Sequence, residues 1–272
     1  MRLYISADIE GISGVVNQCH VSAEGQDYFR ARTLMTNEVN AAIEGAIEAG
    51  VKEVVVNDSH GPMTNILIEN LHPAASLITG TPKRLGMMEG IQSDFDSVMF
   101  IGYHARMNQP GVLSHSYHGR VITNISINGM EVGEFAFNAF LAGHYHVPVM
   151  LVSGDNILAE EVKAVNDQIE TVVVKYAQSR YAARSIQPCI VHGRIKDAVK
   201  QIIQREDLLK PCRIEGPVSL EVTFIHSGMA EVASIMPGTE MTAPNKVLYQ
   251  AKDIQEAYLA RAAMTYMAGS IL

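Results

Sequence analysis

The sequence predicts an α/β protein with a mostly parallel sheet flanked by helices, followed by a smaller α+β part. Short, almost continuously apolar runs such as "VKEVVVND" (51–58) alternate with segments whose apolar residues recur at helical spacing. Apolar runs of this kind are typical of strands that are buried on both faces, as the strands of parallel sheets are. The regular alternation fades near residue 160. We therefore expect an α/β domain over 1–160 and a smaller α+β domain over 161–272.

The elements follow from local patterns. The apolar run 3–7 predicts the first strand, and helical spacing over 28–49, with Gly50 as a C-terminal stop, predicts a long helix. The dipeptide Asn128-Gly129, inside 121–133, predicts a β-hairpin with a type I′ turn. The remaining predicted strands are 51–58, 75–80, 97–105, 147–155, 171–177 and 218–226, and the remaining predicted helices are 65–73, 84–91, 134–146, 192–210 and 254–272.

Composition narrows the classes of function. The chain has 272 residues, 47% of them hydrophobic and 18% charged, which predicts a globular protein with a large core. The formal net charge of −8, without a cluster of Lys or Arg, argues against nucleic acid or an anionic membrane as a partner. Three cysteines without C-x-x-C spacing indicate neither a disulfide framework nor a thiolate metal site.

The N-terminal segment indicates in which cellular compartment the protein is located. "MRLYISADIEG" has an acid at position 8, too early for the apolar region of a signal peptide. No stretch approaches the 18 or so uncharged apolar residues that a membrane span needs. We expect a cytoplasmic protein.

Acidic and imidazole side chains stand where predicted strands end. Ligands of open α/β sheets gather outside the carboxyl ends of the strands. If the first strand continues briefly beyond Ala7, Asp8 and Glu10 project to the same side, because strand side chains alternate. We therefore expect one cluster formed by Asp8, Glu10, His60, His104 and Glu134.

The charge of this cluster predicts a metal site. Three carboxylates and two neutral imidazoles form a pocket of charge −3, which is costly to bury unless cations lie between the carboxylates. Oxygen and nitrogen ligands without thiolate suit zinc best, with manganese or cobalt as substitutes. Two such ions can share a bridging carboxylate and activate a water molecule. A structural polar cluster is the alternative that the spacing leaves open.

A further candidate is His115 in "GVLSHSYHG" (111–119), where it stands between two serines. A serine hydrolase is not indicated, because the G-x-S-x-G elbow is missing. Beside a metal pair, such a histidine can transfer a proton, stabilise an oxyanion or attack directly. A solvent-facing loop residue is the alternative.

Several long motifs resemble one known family. The segments "LYISADIEGISGVV", "VVVNDSHGPMTN", "FIGYHARMNQPGVLSHS", "VGEFAFNAF" and "MPGTEMTAPNKVLYQAKD" occur in order through nearly the whole chain. Together they resemble the DppA family of zinc-dependent D-aminopeptidases. The family's D-x-E-G, N-D-S-H, G-Y-H-A and V-G-E motifs place its metal ligands on Asp8, Glu10, His60, His104 and Glu134.

The resemblance implies a two-domain subunit with two zinc ions, Asp8 bridging them, and release of the N-terminal residue of short peptides. It implies a catalytic role for His115 as nucleophile, and a ring-like homodecamer. Asp58 and Asp155 are expected to orient the ligand histidines. Two alternatives remain at this point: a metal-dependent hydrolase of another amide or ester bond, and a non-catalytic peptide-binding protein. No residue in the sequence reports a preference for D- or L-amino acids.

Overall fold

The computed structural model describes residues 1–92, 94–205 and 208–272. Its strands in chain order are β1 (Arg2–Ala7), β2 (Glu53–Asp58), β3 (Ala75–Ile78), β4 (Ser97–Ile101), β5 (Ile122–Ile127), β6 (Met130–Glu131), β7 (Val149–Asp155), β8 (Glu170–Ser179), β9 (Ala182–Ser185), β10 (Val218–Phe224), β11 (Thr239–Ala243) and β12 (Lys246–Ala251). Its α-helices are α1 (Gln18–Val21), α2 (Tyr28–Glu48), α3 (Glu134–His144), α4 (Asn156–Val165), α5 (Pro188–Ile203), α6 (Ser227–Ala233) and α7 (Ile254–Gly269).

The larger sheet confirms the predicted fold class. Its seven strands lie in the order β3-β2-β1-β4-β7-β8-β9, and every pair is parallel except the antiparallel pair β8–β9. The order places β1 at the centre, between β2 and β4. The carboxyl ends of β2, β1 and β4 therefore lie side by side.

The sheet separates two hydrophobic cores. Along β1, Leu3 and Ile5 pack into the core that α2 and α5 cover, whereas Tyr4 packs into the opposite core. The same alternation places Met99 of β4 with α2 and α5, and Phe100 with α3. Both cores need apolar side chains from every central strand, which explains why these strands have almost no polar positions.

A second sheet closes the side that faces α3. Its strands are antiparallel in the order β11-β12-β10-β5-β6, and α7 packs on β10, β12 and α3. The predicted hairpin is confirmed: β5 and β6 pair, with positive φ at Asn128 (51°) and Gly129 (81°) as a type I′ turn requires. The larger sheet takes β8 and β9 from beyond residue 160, and the smaller sheet takes β5 and β6 from before it. The division into 1–160 and 161–272 stays a prediction.

Two predicted helices differ from the structure. The segment 65–73 forms only a 3₁₀ turn at Ile68–Asn70, because side chains of α2 bind its backbone: Thr36 Oγ1 accepts the Leu67 amide, and Asn40 binds groups of two further residues. The helix predicted over 192–210 is α5, which begins earlier, at Pro188, where the Gln187 side chain caps it. It ends at Ile203, and residues 206–207 of the prediction lie outside the described residues.

The short helix predicted over 84–91 differs as well, because it forms only a 3₁₀ turn at Gly86–Met88. Among the helices that the structure describes, we find none with the length and apolar character that crossing a membrane requires.

One buried acid on α2 fixes the segment after β1. Glu38 is 1% exposed, and its Oε1 accepts the backbone N–H of Ser13 at 2.8 Å, while its Oε2 has no hydrogen-bond partner in the described part of the chain. Burial raises the pKa of Glu38 to about 7, and the Ser13 amide opposes this only in part.

This raised pKa predicts a pH-dependent contribution to stability. The unfolded chain releases the Glu38 proton near pH 4.5 and the folded chain near pH 7, so the contribution is complete below pH 4.5 and is lost as the pH rises through 7. Between pH 5 and 8 the wild type should lose about 2 kcal/mol of unfolding free energy relative to Glu38→Gln. Urea denaturation across this range checks the result, with Glu160→Gln, an exposed position on α4, as the control. Parallel pH profiles for wild type and Glu38→Gln would refute it.

Candidate metal centre

The six residues singled out in the sequence lie around one buried cluster. They come from the ends of three adjacent strands, from the first turn of α3 and from the loop between β4 and β5. Five of them are 2–9% exposed, and the His115 side chain is 20% exposed. Asp8 and Glu10 follow β1, His60 follows β2, His104 follows β4, Glu134 begins α3, and His115 lies in the loop.

The turn after β1 is shaped by close contact with β4. The strand ends at Ala7, so the brief continuation expected from the sequence is wrong, and a tight turn brings Asp8 and Glu10 together instead. The amide of Gly11 donates to the Gly102 carbonyl at 2.7 Å. A Cβ on Gly11 would lie 1.9 Å from the carbonyl oxygen of Tyr103, so only glycine allows this approach.

Each of the three histidines is held by a backbone carbonyl. His60 Nε2 lies 2.7 Å from the oxygen of Val21, His104 Nδ1 lies 3.0 Å from that of Ala105, and His115 Nδ1 lies 3.0 Å from that of Leu113. A carbonyl only accepts hydrogen bonds, so each of these nitrogens carries the proton. The other ring nitrogen of each histidine is thereby directed at the acids.

The carboxylates face these free nitrogens, with Asp8 in the middle. Asp8 Oδ1 lies 3.3 Å from His60 Nδ1, and Asp8 Oδ2 lies 3.5 Å from His104 Nε2. Glu10 Oε2 is 2.9 Å from His60 Nδ1. Glu134 reaches His104 Nε2 with Oε2 at 3.4 Å and His115 Nε2 with Oε1 at 3.6 Å. The cluster thus has two halves that share Asp8.

Burial and mutual repulsion shift the charges of this cluster. Burial and the neighbouring Glu10 raise the pKa of Asp8 well above its usual range. Burial alone would lower the pKa of His104, but Glu134 and Asp8 outweigh it and raise that pKa to about 10. His60 is raised well above its usual pKa in the same way, by Glu10 and Asp8. Protons on two histidines therefore balance the carboxylates when no cation does.

The cluster fits a metal. Nε2 of His104 is buried and has no hydrogen-bond partner among the described residues, although carboxylate oxygens of Asp8 (3.5 Å) and Glu134 (3.4 Å) lie beside it. Donor atoms that lie within 4.8 Å of one another form two sets around His104: one with Asp8 and Glu10, and one with His115 and Glu134. Carboxylate oxygens and imidazole nitrogens without thiolate are the ligands of zinc and related divalent ions.

A third set of possible ligands, formed by Cys19, His20 and Asp27, is less suited to a metal. Nδ1 of His20 accepts the backbone amides of Asn17 (3.1 Å) and Val16 (3.4 Å). The proton of the neutral ring is therefore on Nε2, the atom that faces Asp27 at 3.9 Å. This arrangement leaves no lone pair on the side of the acid.

The loop that carries His115 is clamped in a strained conformation. Leu113 (φ 54°) and Tyr117 (φ 57°) are in the left-handed region, which is unfavourable for such side chains. Arg180, beyond the end of β8, binds the loop at both backbone and side chain: its carbonyl accepts the Leu113 amide at 2.9 Å, and its guanidinium donates to the oxygens of Ser114. The ring of His115 stacks on His104, with centroids 4.2 Å apart.

The expected roles of Asp58 and Asp155 were wrong. Among the described residues, neither carboxylate forms a hydrogen bond or an ion pair with a histidine of the cluster. Asp58 accepts the amides of Asn65 (2.5 Å) and Ile66 (2.7 Å), and thereby holds the loop after β2. Asp155 caps α4 and accepts the amide of Val112 at 2.7 Å, so it anchors the loop that leads to His115.

One supporting residue was missed in the sequence. Lys175, on β8, is completely buried, and its ammonium group donates to the carbonyls of Glu10, Ile12 (3.0 Å) and Val15 (2.6 Å). Burial lowers its pKa to about 8. The signal was visible as a lysine within the apolar run "TVVVKYA" (171–177). Lys175 reaches these carbonyls only because β8 packs beside the turn after β1.

The cluster opens into a cavity of about 610 Å³. Asp8, His60, His115 and Glu134 line one part of it, and side chains of α7 line another. Pockets of this size hold small ligands.

An α/β sheet with acids and histidines at its carboxyl edge, open to a cavity, is typical of a metal-dependent hydrolase. The chain belongs to the Peptidase_M55 family, described as D-aminopeptidase, whose model matches residues 1–263. This confirms the resemblance found in the sequence.

Individual relatives support this family assignment. The chain is 40% identical over 269 residues to a D-aminopeptidase of Bacillus subtilis (strain 168), covering 98% of each chain. It is similar to the solved structure of the Zn-dependent D-aminopeptidase DppA from Bacillus subtilis, a self-compartmentalizing protease, with a TM-score of 0.96 and 40% identity over 99% of this chain and 98% of that one.

Substitution of Lys175 tests whether its ammonium group stabilises the turn that carries Asp8 and Glu10. Lys175→Met leaves three buried carbonyls without a donor and should lower the free energy of unfolding by about 3 kcal/mol. Urea denaturation measures the loss. Lys163→Met, at an exposed position on α4, should change stability by less than about 0.5 kcal/mol. Equal stability of Lys175→Met and wild type would show that the turn does not depend on this ammonium group.

Proposed function

We propose that this chain is a zinc-dependent aminopeptidase that releases the N-terminal residue of short peptides, including peptides that contain D-amino acids. The observation that carries the proposal is the set of three carbonyl-held histidines whose free nitrogens face three buried carboxylates. The family description and the names of the relatives support zinc and D-amino-acid substrates.

Two zinc ions per subunit suit the two halves of the cluster. Asp8, Glu10 and His60 would hold one ion, and Asp8, His104 and Glu134 would hold the other. The two oxygens of Asp8 face histidines of different halves, which supports a bridging role for this carboxylate. Zinc bound there would act as a Lewis acid on the scissile carbonyl and would lower the pKa of water.

His115 is suited to proton transfer. Its Nδ1–H donates to the Leu113 carbonyl, so Nε2 has a free lone pair beside Glu134. In the proposed reaction, Nε2 accepts the proton of the attacking water and returns it to the leaving amine as the C–N bond breaks. The clamped loop and the stacking on His104 keep this nitrogen in position. A direct nucleophilic role is the alternative that the resemblance suggests.

The substrate's free amine would bind at the acidic end of the cavity. Because the proposed zinc ions would neutralise the charges of Asp8, Glu10 and Glu134, the amine would bind there in its neutral form, through its lone pair on a zinc ion. This requirement separates an aminopeptidase from a hydrolase of other amide bonds. An N-acetylated peptide has no free basic amine to place in this position.

We propose a cytoplasmic homodecamer that encloses its active sites. The support is the similar Bacillus subtilis protease, which is self-compartmentalizing, and the coverage of nearly the whole chain by that match. The three cysteines are free, as is usual in a reducing compartment. Light scattering, which measures the mass of the assembly, distinguishes a decamer of 29.7-kDa chains from smaller forms.

The decisive experiment combines metal content with peptide hydrolysis. Protein purified without chelator should contain about two zinc ions per chain and should cleave D-Ala-D-Ala, with the rate on L-Ala-L-Ala reporting chirality. N-acetyl-D-Ala-D-Ala should be cleaved at least about a hundredfold more slowly, since it lacks the amine. Equal cleavage of the free and the acetylated peptide would refute the aminopeptidase. Protein without metal, and inactive after zinc is restored, would refute the metal site.

Two variants separate binding of zinc from transfer of the proton. His104→Ala should lose zinc and activity. The half formed with Asp8 and Glu134 loses a ligand, and Asp8, which the other half shares, loses its neighbour. His115→Ala should keep its zinc content and lower kcat by about 10²–10⁴. His226→Ala, an exposed position before α6, is the control and should match the wild type. Loss of zinc from His115→Ala would make that residue a ligand instead.

A further inference from the structure

Arg261, on α7, is a buried arginine without an acidic partner. It is 7% exposed and lines the same cavity as the metal-ligand candidates. Its Nε is buried without a hydrogen-bond partner, and within the described ranges no carboxylate forms an ion pair with it. Its guanidinium instead lies over aromatic rings, with Cζ 3.5 Å from the ring centroid of Tyr117 and 4.6 Å from that of Tyr258.

Such an arrangement is costly in the absence of an anion. A buried guanidinium needs a negative partner and acceptors for its N–H groups. Aromatic faces stabilise the positive charge in part, but they do not replace the hydrogen bonds. The Nε–H of Arg261 is therefore available to an anionic ligand that enters the cavity.

The other cation of the cavity is already engaged. Lys83 donates to Asn57 Oδ1 at 2.7 Å, to the Asp58 carbonyl at 2.7 Å and to the Ile78 carbonyl at 3.4 Å. Its three protons thus have three protein acceptors. Lys83 supports the segment after β2, whereas Arg261 is left to bind a ligand.

A single tyrosine connects Arg261 with the acidic cluster. The Tyr117 ring lies beneath the guanidinium, and the Tyr117 amide donates to Glu134 Oε1 at 2.5 Å. Tyr117 therefore contacts both the proposed metal centre, through Glu134, and the positive charge of Arg261. A short peptide has matching ends: a free amine for the proposed metal centre and a carboxylate for the guanidinium, separated by about 3.5 Å per extended residue.

We propose that Arg261 binds the C-terminal carboxylate of the peptide substrate and so makes the enzyme select short peptides with a free C-terminus. This inference rests on the proposed aminopeptidase function and adds a specificity-determining residue to it. A guanidinium can bind a carboxylate through two parallel N–H···O bonds, which an amide in its place cannot accept equally well. The enzyme then recognises both ends of its substrate.

The test compares D-Ala-D-Ala with D-alanyl-D-alaninamide, which differs only in the terminal charge. Wild type should favour the free acid at least tenfold in kcat/KM. Arg261→Met should lower kcat/KM for the acid by about 10- to 100-fold, mainly through KM, and that for the amide by less than about threefold. Arg261→Lys should restore part of the preference. Arg194→Met removes an exposed arginine of α5 and should leave both values unchanged.

Other outcomes overturn the inference. Equal use of acid and amide by the wild type would do so, as would a parallel loss on both substrates in Arg261→Met and Arg261→Lys. Zinc content of each variant is measured alongside, so that loss of the metal is not read as loss of carboxylate binding.

Failure of the proposed function has a different signature. Zinc-loaded wild type would then cleave neither peptide, and calorimetric titration with the same two peptides decides the inference. Tighter binding of the acid that is lost in Arg261→Met supports it, and equal binding of acid and amide overturns it.

Discussion

The structure depends on burying three carboxylates next to one another at the end of a parallel sheet. Asp8, Glu10 and Glu134 would repel one another in a medium of low polarity unless positive charge lay between them. The free nitrogens of His60 and His104 lie between these acids, and protons or divalent cations at those nitrogens satisfy the same electrostatic demand. Much of the surrounding structure serves to hold this arrangement.

Residues far away in sequence keep the cluster in shape. Lys175 binds three carbonyls of the turn that carries the acids, and Arg180 and Asp155 clamp the loop of His115. Asp155 ends β7, Lys175 lies on β8, and Arg180 follows β8, so all three belong to the same side of the larger sheet. Four of the acids and histidines follow β1, β2 and β4 directly, His115 lies in the loop after β4, and Glu134 begins α3. Both halves of the sheet are therefore needed for one site, whatever division into domains is drawn.

The smaller sheet and α7 complete the cavity. α7 supplies Tyr258 and Arg261, which bring aromatic surface and positive charge to the side opposite the acids. A cavity with charge of both signs and apolar surface between suits a zwitterionic ligand such as a short peptide. The metal-ligand candidates and Arg261 are in this way provided by different layers of the protein.

The sequence by itself determined the fold class and the residues of the cluster. Apolar runs have to become buried strands, and parallel strands bring their carboxyl ends to one edge, so acids and histidines at the ends of three strands had to meet there. Only the tertiary structure decided what supports them. The roles of Lys175, Asp155 and Arg261 depend on contacts between segments 43 to 165 residues apart, or between different layers, and no local pattern encodes such contacts. The turn that brings Asp8 and Glu10 together also depends on a contact between distant segments, because it forms where Gly11 meets the carboxyl end of β4.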